Sequence, residues 1–326
     1  MAEPTILLDG ALGTELSRRG FVVEAPLFSA RALIEAPALL TAIHLDYLRA
    51  GAQVLSTNSF GLHAQDLVRA GIGEHQRELA QRSVELVEAT RRELRPDERG
   101  LARFRIAGSI PPLTSAGTEP AVERAEYRAL ADALVDAGVD LILLETFSGV
   151  AAARLALEAL VDLPVPVWLA VVAGVPPSER VAGVSHRPDG TRLLAGDDFS
   201  SLLAMVTEPG LRRPDALLIN CTQIDAVPAA LDSLLAASAS ADWQGPLGFY
   251  PHLGKRRHDG VWIDRIVEPE VFAEQMAAWM RTRPRLSLAG ACCGSEPADI
   301  AAMGRCLQAD AAAREAAWMA LAALVP

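Results

Sequence analysis

The stretch Leu286-Ser-Leu-Ala-Gly-Ala-Cys-Cys-Gly294 joins an apolar run to two adjacent cysteines set between glycines. It reads as a buried β-strand that carries two thiols to its tip. Neighbouring residues in regular structure point apart, so both side chains reach one metal ion only where the backbone turns, and Gly290 and Gly294 permit that turn. The pair asks for a third soft ligand. Cys221, at the end of the strand-like run Ala216-Leu-Leu-Ile-Asn-Cys221, has the matching position, whereas Cys306 falls in a helical pattern and reads as helix packing. The competing reading of the pair is two buried cysteines without a ligand role.

Outward from this stretch, apolar runs bounded by turn residues alternate with longer helical patterns. Strands are expected over residues 5–8, 53–56, 104–108, 140–144, 165–172, 216–220, 246–249 and 286–290. Helices are expected over 35–50, 74–95, 122–137, 149–161, 199–207, 225–237, 269–281 and 297–323. Near-continuous apolar strands are those covered on both faces, and strict β-α alternation implies parallel strands with right-handed crossovers. Eight such units suit a single (β/α)8 TIM-type barrel, and no linker divides residues 1–326, so one domain is expected. The longest irregular connection, 173–198, contains Arg187-Pro-Asp-Gly190, a turn signature expected to close a small hairpin over the barrel mouth.

Composition narrows the function classes. With 51% hydrophobic and 22% charged residues the chain is globular, and its net charge of -11 argues against nucleic acid, whose phosphates need clustered Lys and Arg. Lys255 is the sole lysine among 30 basic residues, which leaves little room for lysine chemistry. The start Met-Ala-Glu-Pro-Thr lacks a basic region before an apolar segment, so no secretory signal is expected. The most apolar long window, 160–177, is broken by Asp162, Pro164 and Pro166 and makes a poor membrane span. Four cysteines in so long a chain do not form a disulfide framework, and a reducing cytoplasm is expected.

In such a barrel the chemistry sits at the carboxyl ends of the strands. Those ends carry Asp9-Gly10, Thr57-Asn58-Ser59, Ser109, Glu145-Thr146, Asn220-Cys221, Tyr250-Pro-His252 and Cys292-Cys293. Three thiolates select zinc or another soft ion and leave one coordination position open. So electron-rich a centre is poor at activating water but suits a substrate thiol, which it would acidify from about 8.5 and hold as a nucleophilic thiolate. Glu145, projecting from a buried strand tip, needs a partner: a substrate ammonium or a nearby arginine. Asp9 invites the same comparison. The segment Gly10-Ala-Leu-Gly13 matches neither glycine-rich phosphate pattern and fits close backbone approach to a substrate carboxylate. Thr57, Asn58 and Ser109 read equally as pocket-lining donors and as turn caps.

The motifs Leu8-Asp-Gly-Ala-Leu-Gly-Thr14, Thr57-Asn-Ser-Phe-Gly61, Leu144-Glu-Thr-Phe147, Asn220-Cys221 and Gly290-Ala-Cys-Cys-Gly294, in this order and spacing, resemble the homocysteine S-methyltransferase family over almost the whole chain. The resemblance implies a zinc-dependent (β/α)8 barrel that transfers a methyl group to homocysteine, giving methionine. It makes Cys221, Cys292 and Cys293 the zinc ligands and puts Asp9, Gly10 and Glu145 around the amino acid end of homocysteine. Thr57, Asn58, Ser109 and Tyr250, at the ends of neighbouring strands, are the further candidates for substrate binding. The thiolate would then attack an onium methyl group in line, with no covalent enzyme intermediate.

Two places depart from the family pattern, both where the methyl donor should bind. The family usually reads Tyr-Pro-Asn after strand seven, where this chain has Tyr250-Pro-His-Leu-Gly-Lys-Arg-Arg257; the turn Gly108-Ser-Ile-Pro-Pro112 also differs. His252 would replace the asparagine in polar contact or simply pack, and the Lys255–Arg257 cluster would be a solvated face or favour an anionic substrate. Among family donors S-methylmethionine leads, because cobalamin chemistry needs modules this chain lacks, and a betaine ammonium would favour an aromatic cage in a chain that is 5% aromatic. S-adenosylmethionine as donor, and another thiol or a selenol as acceptor, are the alternatives within the family. Outside it stand a Schiff-base aldolase forced to use Lys255, a zinc hydrolase, which prefers His or carboxylate ligands, and a zinc- or thiol-binding barrel without turnover.

Overall fold

Each of the eight apolar runs forms a parallel strand, because side chains on both of its faces leave water. The computed structural model describes residues 4–113, 117–175, 189–256, 262–263 and 267–326, with backbone alone for 255–256 and 262–263. The strands are β1 (Ile6–Leu7), β2 (Val54–Ser56), β3 (Arg105–Ile110), β4 (Leu141–Phe147), β5 (Val167–Val171), β6 (Ala216–Gln223), β7 (Leu247–His252) and β8 (Leu286–Ala289). Their order in the sheet is β1-β8-β7-β6-β5-β4-β3-β2, every pairing parallel. A parallel bridge between Leu8 and Val54 joins the two edges, so the sheet closes on itself as a (β/α)8 barrel.

The period of two sorts the strand residues into two cores. Leu141 and Leu143 of β4, Trp168 and Ala170 of β5 and Leu288 of β8 point into the barrel and pack on one another. Their neighbours Ile142, Leu144, Leu169 and Leu217 point outward and are covered by helices. Tryptophan opposite alanines fills the interior as bulk against small, which keeps the lumen a packed core.

The outer layer contains α1 (Leu12–Arg18), α2 (Ala32–Glu35), α3 (Pro37–Arg49), α4 (Ala64–Arg69), α5 (Gln76–Glu93), α6 (Pro120–Ala137), α7 (Val150–Ala159), α8 (Phe199–Val206), α9 (Val227–Ser240), α10 (Pro269–Thr282), α11 (Pro297–Leu307) and α12 (Ala311–Leu324). Proline at the first turn of α3, α6, α9, α10 and α11 supplies a preset φ where no amide partner is needed.

The helix expected over 297–323 is instead two. The Gln308 side chain turns into the base of the barrel, where its Nε2 donates to Thr5 O and to Gln53 Oε1, both at 2.6 Å. Asp310 then starts a new helix by accepting the Ala313 amide at 2.8 Å. The resulting α12 runs under the barrel, placing Leu321 and Val325 in the interior core. No helix among the described residues is long and apolar enough to cross a membrane.

Of the hairpin expected around Arg187-Pro-Asp-Gly190, Arg187 and Pro188 lie outside the described residues; beyond them an antiparallel bridge joins Ala173 to Leu193. Lys255 and Arg256 form a two-residue antiparallel ribbon with Trp262 and Ile263, and Arg257 lies outside the described residues.

Candidate active site

Two strands run past their apolar segments by one bulge each, and the bulges aim the chemistry. Pairing of β4 with β5 passes from Leu144↔Leu169 to Phe147↔Val171, three residues against two. Pairing of β6 with β7 passes from Asn220↔Tyr250 to Gln223↔His252 with the same surplus. A bulge bends its strand and redirects a side chain. At these bulges Thr146 has φ 70° and Cys221 has φ 45°, left-handed conformations that cost non-glycine residues about 1–3 kcal/mol each. Asn220 holds both: its Oδ1 accepts the Thr146 amide and its Nδ2 donates to Thr146 Oγ1, each at 3.1 Å. Glu145 and Cys221 are thereby turned toward the mouth of the barrel.

Cys292 and Cys293 follow β8 in a tight turn that Gly294 closes with φ 87°. The turn is fixed by backbone bonds from Cys292 N to Pro251 O (2.7 Å), Leu253 N to Cys293 O (2.8 Å) and Ser295 N to Cys292 O (3.1 Å). Cys293 Sγ stands 3.7 Å from Cys221 Sγ and 3.9 Å from Cys292 Sγ, and all three sulfurs lie within 4.8 Å of one another. Zinc with about 2.3 Å bonds at tetrahedral angles requires sulfurs about 3.8 Å apart, so the donor set fits that ion in both chemistry and spacing. The Cys293 thiol is held well below the ordinary thiol range by hydrogen bonds from Cys221 and Cys292, with a smaller one from His252, while Cys292 is pushed well above it by the same contacts.

Two carboxylates share the site, Asp9 buried and Glu145 partly buried. Asp9 Oδ2 accepts the Ser56 amide at 2.7 Å and Oδ1 the Ser56 hydroxyl at 3.1 Å. Burial pushes Asp9 up to about 7 against those bonds, and the charge of Glu145 adds to the push. Glu145 is raised by burial as well; its Oε1 accepts from Ser109 Oγ and its Oε2 from Tyr250 OH at 3.2 Å. Neither carboxylate is paired with a cation among the described residues, although both are costly to ionise where they stand.

A cavity of about 530 Å³ contains both groups, and Asp9, Gly10, Thr57, Asn58, Ser109, Glu145, Tyr250 and the three cysteines all line it. Gly10 is there because no side chain fits: a Cβ would come within 2.7 Å of Ser295 Oγ and of the Tyr47 ring. Thr57 and Asn58 also serve their turns, Thr57 Oγ1 meeting Ser59 Oγ at 2.7 Å and accepting Ser109 N at 3.1 Å, Asn58 Nδ2 donating to Ser29 O at 2.7 Å. Sequence reasoning missed Ser56, the anchor of Asp9, and the edge-to-face pair Phe28 and Phe60 that walls the outer cavity with ring centroids 6.4 Å apart. Phe60 stood inside a quoted motif; Phe28, in a left-handed turn with φ 49°, gave no local signal. His252 does not line the cavity and reaches the site through Cys293.

A family model described as homocysteine S-methyltransferase matches residues 6–307. The chain is 31% identical over 314 residues to the homocysteine S-methyltransferase of Escherichia coli (strain K12), covering 91% of this chain and 94% of that one. It is 26% identical over 324 residues to the selenocysteine Se-methyltransferase of Brassica oleracea var. italica, covering 91% and 87%. Among solved structures it resembles the metallated form of the homocysteine methyltransferase MmuM from Escherichia coli, with a TM-score of 0.73, 27% identity and coverage of 92% and 96%. The chain belongs to the homocysteine S-methyltransferase family.

Proposed function

We propose that this methyltransferase moves a methyl group from S-methylmethionine to the thiol of homocysteine, with a zinc ion held by Cys221, Cys292 and Cys293. The observation that carries the reading is the spacing of the three sulfurs, 3.7 and 3.9 Å along two edges of the triad, in a cavity that the carboxyl groups of Asp9 and Glu145 also line. Zinc bound there would keep the acceptor thiol ionised and nucleophilic at neutral pH.

The chain's own residues do the rest. Asp9 and Glu145 receive the ammonium of homocysteine, which as a cation favours the ionised form of two carboxylates that burial otherwise disfavours. Ser109 and Tyr250 fix the Glu145 oxygens, and Ser56 fixes those of Asp9, so the amino end binds to a preset geometry. The backbone of Gly10 to Gly13 lies along the cavity for the carboxylate end. Phe28, Phe60 and Tyr250 are the aromatic residues among the described lining, and the Tyr250 hydroxyl is bonded to Glu145. Phe28 and Phe60 pack edge-to-face on each other, so they make a wall and not a cage, which favours a sulfonium amino acid over a quaternary ammonium.

We place the reaction in one domain spanning residues 1–326 and in a reducing compartment, where the free thiols Cys221, Cys292 and Cys293 keep their ligand role. The test incubates zinc-loaded protein and homocysteine with S-methylmethionine, S-adenosylmethionine and betaine in turn, following methionine by mass. Methionine formed fastest from S-methylmethionine is expected. Turnover with betaine alone would replace the donor assignment, and turnover with selenocysteine in place of homocysteine would replace the acceptor.

A further inference from the structure

We propose that His252 is a positioning residue for the sulfur triad: its ring N–H orients Cys293 Sγ and so sets how tightly the site retains its metal ion. The inference rests on the three-thiolate reading above and goes beyond it by adding a residue that touches neither substrate nor metal.

The backbone puts His252 where the sulfur-bearing segments meet. On one side of it Pro251 O accepts from Cys292 N at 2.7 Å; on the other Leu253 N donates to Cys293 O at 2.8 Å. His252 is therefore the middle residue of a three-residue splint whose flanks grip the cysteine turn. Along the opposite edge of β7 it pairs in register with Gln223, two residues beyond Cys221 on the bulged strand. A residue so placed adjoins the segments that deliver all three sulfurs.

The side chain is only 9% exposed and lies outside the cavity lining, and it hydrogen-bonds Cys293. Cys293 is the sulfur for which this matters most, because contacts of 3.7 and 3.9 Å connect it to the other two. An N–H donor on a ligand sulfur fixes the sulfur's orientation and spreads part of its charge, and groups with this role typically change metal affinity roughly 10- to 100-fold when removed.

The experiment measures zinc dissociation by competition with a chromophoric chelator for the full-length protein, His252→Ala and His252→Asn, and records the visible spectrum of each after cobalt substitution. His252→Ala is expected to raise the zinc dissociation constant roughly 10- to 100-fold and to shift the cobalt bands, with the thermal midpoint of the metal-free protein little changed. His252→Asn, whose amide N–H donates in place of the imidazole, is expected to recover most of the affinity. A dissociation constant for His252→Ala within about twofold of the unmutated protein, with the same cobalt spectrum, would overturn the inference and leave the sulfur site standing. Equal losses in both variants would make His252 a packing residue and overturn it too, and failure of the unmutated protein to bind zinc would remove the site along with it.

Discussion

The mouth and the base of this barrel are built from the same strands to opposite rules. At the mouth β4 and β6 bulge, Thr146 and Cys221 sit at positive φ, and buried Asp9 and partly buried Glu145 have no cationic partner among the described residues. At the base one register shift, between Leu286 and Leu288 of β8, interrupts the pairing with β7, and α12 closes the lumen with Leu321 and Val325. Two arginines there are paired: Arg105 Nε donates to Val325 O at 2.8 Å, and Arg103 meets Glu315 at 2.7 Å while stacking on Trp318. β4 shows the change within a few residues, from Leu141 and Leu143 in the packed interior to Glu145 in the cavity. The packed closure lies at one end, and the strained, underpaired groups of the candidate site lie at the other.

Three perturbations would break or sharpen that contrast. The largest effect is expected for Cys292→Ser, which should take zinc from about one ion per chain to none, measured by elemental analysis. Methyl transfer should fall by about a thousandfold or more, because the acceptor thiol loses both its acidification and its anchor. A variant that kept its zinc would remove Cys292 from the ligand set.

Next comes Asp9→Asn, whose effect depends on pH. The native pKa of about 7 lies above the ordinary 3.8, so between those values the folded protein holds a proton that the unfolded chain has released. Stability contributed by Asp9 is therefore lost as pH rises through that window. The metal-free Asn variant should be nearly matched to the unmutated protein near pH 4 and more stable by up to about 4 kcal/mol near pH 8, by urea unfolding. A difference that does not vary with pH would mean that the Asp9 charge is compensated in the native state.

Leu321→Ala at the base should cost about 3 kcal/mol of stability by cavity formation, while zinc content and the homocysteine KM stay unchanged. Movement in either would show that the two ends are coupled.

The sequence shows the base and the barrel wall more readily than the mouth. All eight strands fall on apolar runs because burial on both faces needs only composition and length. The same runs underestimate β4, β6 and β7, which continue to Phe147, Gln223 and His252. Their extensions contain polar residues, Glu145, Thr146, Thr222, Gln223 and His252, and a bulge has no signature without glycine. The division between α11 and α12 was illegible for a related reason: no proline or glycine marks it, and it is enforced by Gln308 reaching Thr5 and Gln53 from 303 and 255 positions away. At the site, residues whose chemistry is intrinsic could be read directly: the three cysteines, Asp9 and Glu145. Ser56 and Phe28 could not, since what they do depends on a partner or a turn that the fold supplies.

The Asn220 amide, spanning Thr146 on one strand and standing next to Cys221 on its own, acts as a ruler. On the proposed assignment of the acceptor's sulfur to the Cys221 side and of its amino group to Glu145, those two bonds set the distance between the ends. A shorter or longer amino acid is then expected to reach one end less well, which a comparison of cysteine with homocysteine as acceptor measures.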